Sequence, residues 1–290
     1  MRLRELRQRI IKERRIRRAL APNVRRVGTV EKSSPAELIV SLTSYPARFK
    51  GLHHVLNSLL AQTVVPDRVV LYLDQGDRKA LPKRVTDLAG KRLFIEERPP
   101  IRSYGKLVNA LADYPTANII TVDDDVVYSN TLVEELTAGA SLNPGAIICL
   151  RAARVSFTVD GFLLPYSSWP LDVQDEFARK PSADIMPTGV GGVLYPPNSL
   201  HPDVMDMETA LRICRSADDV WFYWMGRRVG SLQLKVGGTN KFMHTYDSQA
   251  TGLLHANWDG GNDQQIRAIW EAYGRPHGIP DHFQLAPELS

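Results

Sequence analysis

An α/β fold built on a mainly parallel sheet, with helices packed against it, is predicted by two observations. Short apolar, β-branched runs alternate with helical segments from Leu38 to Leu150. The chain, at 290 residues and 43% hydrophobic, can also bury the core of one large α/β domain with extensions. The elements follow in order. "LIVSL" (38–42) reads as a strand, and "FKGLHHVLNSLLAQ" (49–62) as a helix with Leu52, Val55, Leu56, Leu59 and Leu60 on one face. "RVVLYL" (68–73) and "RLFIEE" (92–97) are the second and third strands, "GKLVNALADY" (105–114) a helix, and "NIITV" (118–122) the fourth strand. A helix over about 129–142 leads to "AIICL" (146–150). This half has the pattern of a doubly wound, nucleotide-binding sheet.

After residue 150 the pattern changes. Asp160-Gly161 between the apolar runs of "RVSFTVDGFLLPY" predicts a hairpin. The Pro- and Gly-rich stretch 186–202 predicts loop around a short strand at about 192–195. "SADDVWFYWMGRRVG" (216–230) predicts a helix capped by Ser216 or Asp218, and residues 275–290 an unfolded polar tail. The expected organisation is a basic arm over 1–36, a domain over 37–274 divided near residue 150, and the tail over 275–290.

The net charge of +4 is unevenly spread. Residues 1–26 hold eleven Lys and Arg against Glu5 and Glu13, a net of +9, which leaves −5 for the rest. Leu3, Leu6 and Ile10 fall at helical spacing, so the arm reads either as a basic amphipathic helix for an anionic membrane surface or as a solvated arm. It lacks interleaved aromatics and the domain is acidic, so no nucleic-acid partner is expected. No run is long enough to span a bilayer, and the N-terminal stretch lacks the apolar segment of a secretory signal. Cys149 and Cys214 have no metal-ligand spacing and read as buried thiols. The expected location is cytoplasmic, peripheral at the inner face of the membrane if the arm docks there.

Asp123, Asp124 and Asp125 sit where the fourth strand ends. Three adjacent carboxylates repel unless solvent or a cation neutralises them, so they are either a solvated turn or a binding site. A second acid pair, Asp218-Asp219, opens the aromatic helix about ninety residues later.

A sheet that ends in an acid cluster, a second acid pair before an aromatic helix, and the opening "IVSLTSYPARFKGLHHVLNSLLAQTVVPDRVVLYLDQ" together resemble GT-A-fold glycosyltransferases. The likeness covers roughly residues 37–270 and is nearest to bacterial enzymes of surface-polysaccharide synthesis. It implies a nucleoside diphosphate-sugar donor, a glycan or lipid-linked acceptor, and Mn²⁺ or Mg²⁺. The family's DxD motif would fall on Asp123-x-Asp125, with Asp125 as metal ligand and Asp123 on metal, ribose or a metal-bound water. Asp124 is grouped with the donor site. Thr43, at the end of the first strand, would touch the nucleotide. Asp74 would either hydrogen-bond the base or shape a turn. Arg48 would bring positive charge to the diphosphate, Lys106 would either do the same or be a surface lysine, and the glycines of "TGVGGV", Gly191 and Gly192, would either admit a sugar closely or form a plain tight turn. His244 and His255 both follow the aromatic helix, and His255 is the expected third metal ligand, with Asp259 and Asp263 nearby. Asp219 would be the general base of an inverting transfer, with Asp218 beside it.

Two other classes fit parts of the same sequence. One is a metal-dependent nucleotidyltransferase or phosphohydrolase, which also clusters aspartates. The other is a non-catalytic binding protein with a basic arm, its acid clusters being solvated turns.

Overall fold

The computed structural model describes residues 14, 27–28, 30–32, 36–90, 92–238, 243–244 and 261–286. Of the basic arm only residues 14, 27–28, 30–32 and 36 are among them, and His255 and Asp259 lie outside. The fold class is the expected one, a mostly parallel seven-stranded sheet flanked by helices. In chain order the elements are β1 (Leu38–Ser44), α1 (Phe49–Leu60), β2 (Arg68–Asp74), α2 (Lys83–Thr86), β3 (Leu93–Arg98), α3 (Gly105–Asp113), β4 (Asn118–Thr121), β5 (Val126–Val127) and α4 (Leu132–Leu142). They continue as β6 (Ile147–Cys149), β7 (Ala152–Arg154), β8 (Ile185–Pro187), β9 (Val193–Tyr195), α5 (Met207–Ile213), α6 (Asp218–Arg228), β10 (Gln233–Lys235), β11 (Met243–His244) and α7 (Asn262–Tyr273). The chain forms two compact units, one of residues 1–138 and 241–252, the other of residues 139–240 and 253–290.

In the first unit the strands lie in the order β4-β1-β2-β3, all parallel. β1 and the middle of β2 are buried almost throughout, as parallel strands covered on both faces must be. Leu52, Val55, Leu56 and Leu59 on α1 are 0% exposed, and each such side chain stabilises the fold by about 1.5–3 kcal/mol. α1 ends at "AQ", where the buried Gln62 donates Nε2 to the carbonyls of Ser58 and Ser129 and accepts the Val133 N–H on Oε1. The helix end is thereby stitched to the start of α4. Short β11 pairs antiparallel with β5, which sets His244 opposite Val126.

In the second unit β10 runs parallel to β6, β6 antiparallel to β9, and β7 and β8 form a separate antiparallel pair. The Asp160-Gly161 turn forms with Gly161 at φ 85°, closed by the Thr158 N–H on the Phe162 carbonyl at 2.7 Å. Only the Phe157–Leu163 bridge flanks it, because the preceding strand, β7, pairs with β8 instead. Two expectations are corrected. Neither Ser216 nor Asp218 caps α6. Its N-cap is Ala217, and Gln265 Oε1 takes the N–H groups of Ser216 and Ala217 at 2.7 and 3.0 Å. The stretch from 275 is also held, at its root and over its described part, by two buried side chains of α6. Trp224 Nε1 donates to the Gly274 carbonyl and Arg227 Nε to that of His277, at 3.0 and 2.7 Å. Both cysteines are buried and neither is in a disulfide, and no helix among the described residues is long and apolar enough to cross a membrane.

Candidate active site

In the first unit the chain lays β2 and β3 on one side of β1, then returns to place β4 on the other. The carboxyl ends of β1 and β4 therefore flank the point where strand order reverses, the place where open α/β sheets bind ligands. The acid triplet stands there, just beyond β4. Residues 124–125 form a turn into β5 rather than the extended backbone that strict side-chain alternation requires. The reason is local, since β5 begins at Val126 and turns away to pair with β11.

Each carboxylate has its own partner. Asp123 Oδ1 accepts from Lys106 Nζ at 2.9 Å, and Lys106 is 5% exposed at the start of α3. Asp124 is buried, accepting from Ser44 Oγ at 2.5 Å and from Arg48 Nη1 at 2.8 Å. Asp125 Oδ2 lies 2.9 Å from the same Nη1. One guanidinium nitrogen thus bridges two of the three acids. Burial works against charge on Arg48, but Asp124 and Asp125 outweigh it and raise its pKa. Burial pushes Asp124 up to about 6, against the lowering by Arg48 and Ser44. Burial, then Asp123, also raises Asp125, while Arg48 and His244 lower it. His244, passed over in favour of His255, is therefore close enough to bias Asp125 through the β5–β11 pair.

Asp124 gives a pH test. An acid with a folded-state pKa above its unfolded value, near 3.9, binds its proton more readily when folded. Its contribution is most favourable below pH 4 and is lost as pH rises through about 6. Asp124→Asn is expected to flatten the fall in stability between pH 4 and 6 in urea titrations. An unchanged slope would show that Asp124 is not the group responsible.

Of the other expected donor contacts, Thr43, last but one in β1, donates its hydroxyl to the Tyr72 carbonyl at 3.0 Å. Gly105 packs so close that an added Cβ would lie 3.4 Å from Thr43 Oγ1. Asp74 ends β2 with its pKa raised by burial and Asp77, and its carbonyl accepts the Asp77 N–H in a turn.

The second acid pair sits in the second unit, in the first turn of α6. Asp218 is buried, and Asp219, half-buried, accepts the Gly189 N–H on Oδ2 at 3.0 Å. Gly191 and Gly192 belong to the same turn, and their need for glycine is backbone packing. A Cβ on Gly191 would lie 2.5 Å from Arg151 Cβ, and Gly192 has φ 88°. Asp263 accepts the Tyr166 N–H at 2.7 Å. Trp221, Phe222 and Trp224 are core residues, each at most 1% exposed.

Sequence reasoning did not single out Ser44, Arg151 or Tyr166. Ser44 carries no signal in a strand of small and apolar residues, and the other two stand in loops without periodicity.

Among the described residues no three His, Cys, Asp or Glu side chains are grouped to hold a metal ion. The triplet does fit a hard cation that arrives with a diphosphate. Such an ion takes one or two carboxylates and fills its shell with water and phosphate oxygens. The bonds above engage one oxygen each of Asp123 and Asp125, both partly exposed at 29% and 14%.

No family model matches the sequence, and no curated protein matches it. Solved structures similar to it include GalNAc-T7 with UDP, GalNAc and Mn²⁺, at 13% identity and a TM-score of 0.47 over 74% of this chain. The chain spans 44% of that protein's length. A 4-diphosphocytidyl-2C-methyl-D-erythritol synthase is similar at 13% identity and 0.46, over 77% of this chain and 99% of the other. A CMP:2-keto-3-deoxy-manno-octonic acid synthetase complexed with CTP is similar at 14% and 0.47, over 80% and 100%. These are distant likenesses of backbone path, and they bring no chemistry to this chain.

Proposed function

We propose that the protein is a divalent-metal-dependent glycosyltransferase that moves a sugar from a nucleoside diphosphate to a glycan or lipid-linked acceptor, with inversion, in surface-polysaccharide synthesis. The observation that carries this reading is the acid triplet at the β1/β4 reversal, braced by Arg48 and Lys106. Asp125 and Asp123 would hold Mn²⁺ or Mg²⁺, which when bound neutralises charge on the leaving diphosphate. Arg48 and Lys106 offset the repulsion among the acids before the donor arrives, and each would share its charge with phosphate oxygens. Thr43 and Asp74, at the ends of β1 and β2, offer hydrogen bonds to the nucleoside. Asp219 takes the proton from the acceptor hydroxyl as that oxygen attacks the anomeric carbon.

The test is a panel of uridine, guanosine, adenosine and cytidine diphosphates with Mn²⁺, read by thermal shift and calorimetry. One of them is expected to stabilise the fold, by about 2.7 kcal/mol at a hundredfold excess over Kd. Asp125→Asn is expected to weaken Mn²⁺-dependent binding by roughly 10–100-fold, the scale of losing a partner at a metal site. Binding of none, or undiminished binding by Asp125→Asn, would overturn the reading. With the matching sugar nucleotide, release of nucleoside diphosphate supports sugar transfer, whereas pyrophosphate would indicate nucleotidyl transfer.

The proposed location is cytoplasmic, at the membrane surface through residues 1–26. Deleting them is expected to abolish binding to phosphatidylserine vesicles, and salt should weaken the full-length protein's binding as the screening length shortens below about 10 Å. Equal vesicle binding by the two chains would exclude that role.

A further inference from the structure

In the second unit two side chains of opposite charge grip consecutive residues of one turn. Arg151, directly beyond β6, donates Nη1 to Thr188 Oγ1 at 2.9 Å. Asp219 accepts the N–H of Gly189 at 3.0 Å. The turn packs directly against Arg151, because Gly191 leaves no room for a Cβ there, and Gly192 takes a positive φ. The Arg151 backbone is fixed as well, since its carbonyl accepts the Thr188 N–H at 3.0 Å. The guanidinium is therefore held at its root and at one nitrogen. It is half-buried, and among the described residues it forms no salt bridge with a carboxylate. Arg48 and Arg154, by contrast, each pair with two carboxylates. A guanidinium has five N–H donors in a planar fork, and the hydrogen bond to Thr188 uses one. Tyr166 stands in the same neighbourhood. Its phenol is pushed up to about 12, first by burial and then by the charge of Asp219, with Arg151 acting the other way.

We propose that Arg151 is an anion-recognition site that selects an acceptor bearing a carboxylate, such as a uronic acid. It lies next to Asp219 along the 188–189 turn. The proposal rests on the reading of Asp219 as the base of a sugar transfer and adds the substrate class. A partly buried, preorganised guanidinium with unused parallel donors is matched to a carboxylate, which it can meet with two hydrogen bonds. A neutral sugar cannot accept two charge-assisted hydrogen bonds from the fork, so the site discriminates against it.

The experiment uses the full chain and titrates sodium glucuronate, glucose, inorganic phosphate and UDP with Mn²⁺, followed by calorimetry and by tryptophan fluorescence. Glucuronate is expected to bind at least tenfold more tightly than glucose. Arg151→Gln is expected to remove that preference, and Arg151→Lys, which keeps the charge but gives up the fork, to retain part of it. The lysine variant keeps the test alive if the glutamine variant does not fold. Equal binding of glucuronate and glucose by the wild-type protein would overturn the proposal. So would phosphate binding more tightly than glucuronate, which would make this a phosphate site. A loss of UDP affinity in Arg151→Gln equal to the loss of glucuronate would also overturn it, assigning Arg151 to the donor. UDP binding without any glucuronate preference defeats this inference alone, whereas failure of every nucleotide to bind defeats the proposed function.

Discussion

Arg48→Met is expected to destabilise the protein by roughly 3 kcal/mol at pH 7, the lower end of the cost of breaking a buried ion pair. The charge lost is the one that Asp124 and Asp125 share through a single nitrogen, at 2.8 and 2.9 Å. Asp124, with 8% of its side chain exposed, would keep only Ser44 as a partner. Adding Asp124→Asn removes the stranded charge and retains an acceptor for Ser44. The double variant is therefore expected to recover about 1 kcal/mol or more relative to additivity, a coupling of the size contacting residues show. The loss in Arg48→Met should also shrink at pH 5, where Asp124 takes up a proton with its pKa already near 6. Chemical denaturation of the four chains of the cycle at both pH values measures this. Strict additivity would mean that Arg48 does not stabilise through Asp124.

The second large effect concerns turnover. On the proposed mechanism, Asp219→Asn is expected to cut the rate of sugar transfer by about 10²–10⁴, the usual contribution of a positioned general base. The substitution suits the purpose because an asparagine oxygen can still accept the Gly189 N–H that now meets Oδ2 at 3.0 Å. The turn and α6 should therefore persist, while the group that takes the proton is gone. Nucleoside diphosphate and Mn²⁺ affinities should stay near wild type, since the proposed holders of both are the acid triplet and its partners Arg48 and Lys106, not Asp219. Steady-state rates with the donor found in the nucleotide panel, beside circular dichroism to confirm the fold, decide the matter. Wild-type turnover would remove Asp219 from the mechanism and point to Asp218 or to a retaining reaction.

How readily each part can be read from residues follows from how it is buried. β1, β2 and β4 are continuous apolar runs because parallel strands lie under cover on both faces, and α1 shows its buried face at every third or fourth position. The strands of the second unit have three residues each, too short for any period to declare itself. β10 is "QLK", two polar residues and a leucine, yet all three are buried. Its Lys235 is accommodated by Gln174 and the Gly238 carbonyl, partners that no local pattern announces. The held segment after residue 274 is hidden for a similar reason. Its attachments run from Trp224 and Arg227 to backbone carbonyls, and a carbonyl is the same at every residue. In the site itself the triplet announces itself by charge repulsion alone. Ser44, 80 residues away from Asp124, becomes its partner only through the sheet.

The stitch at Gln62 has a mechanical consequence. Arg48, the residue before α1, holds Asp124 and Asp125, and Gln62, two residues past its end, holds Ser129 and Val133. Between them Ser58 Oγ accepts the Tyr128 N–H, and the Tyr128 hydroxyl accepts the N–H of Asp123. The acid turn is thus lashed at several points to one rigid rod. Its carboxylates cannot swing as a loose loop would, and any force that draws Asp125 toward a ligand is borne along the length of α1.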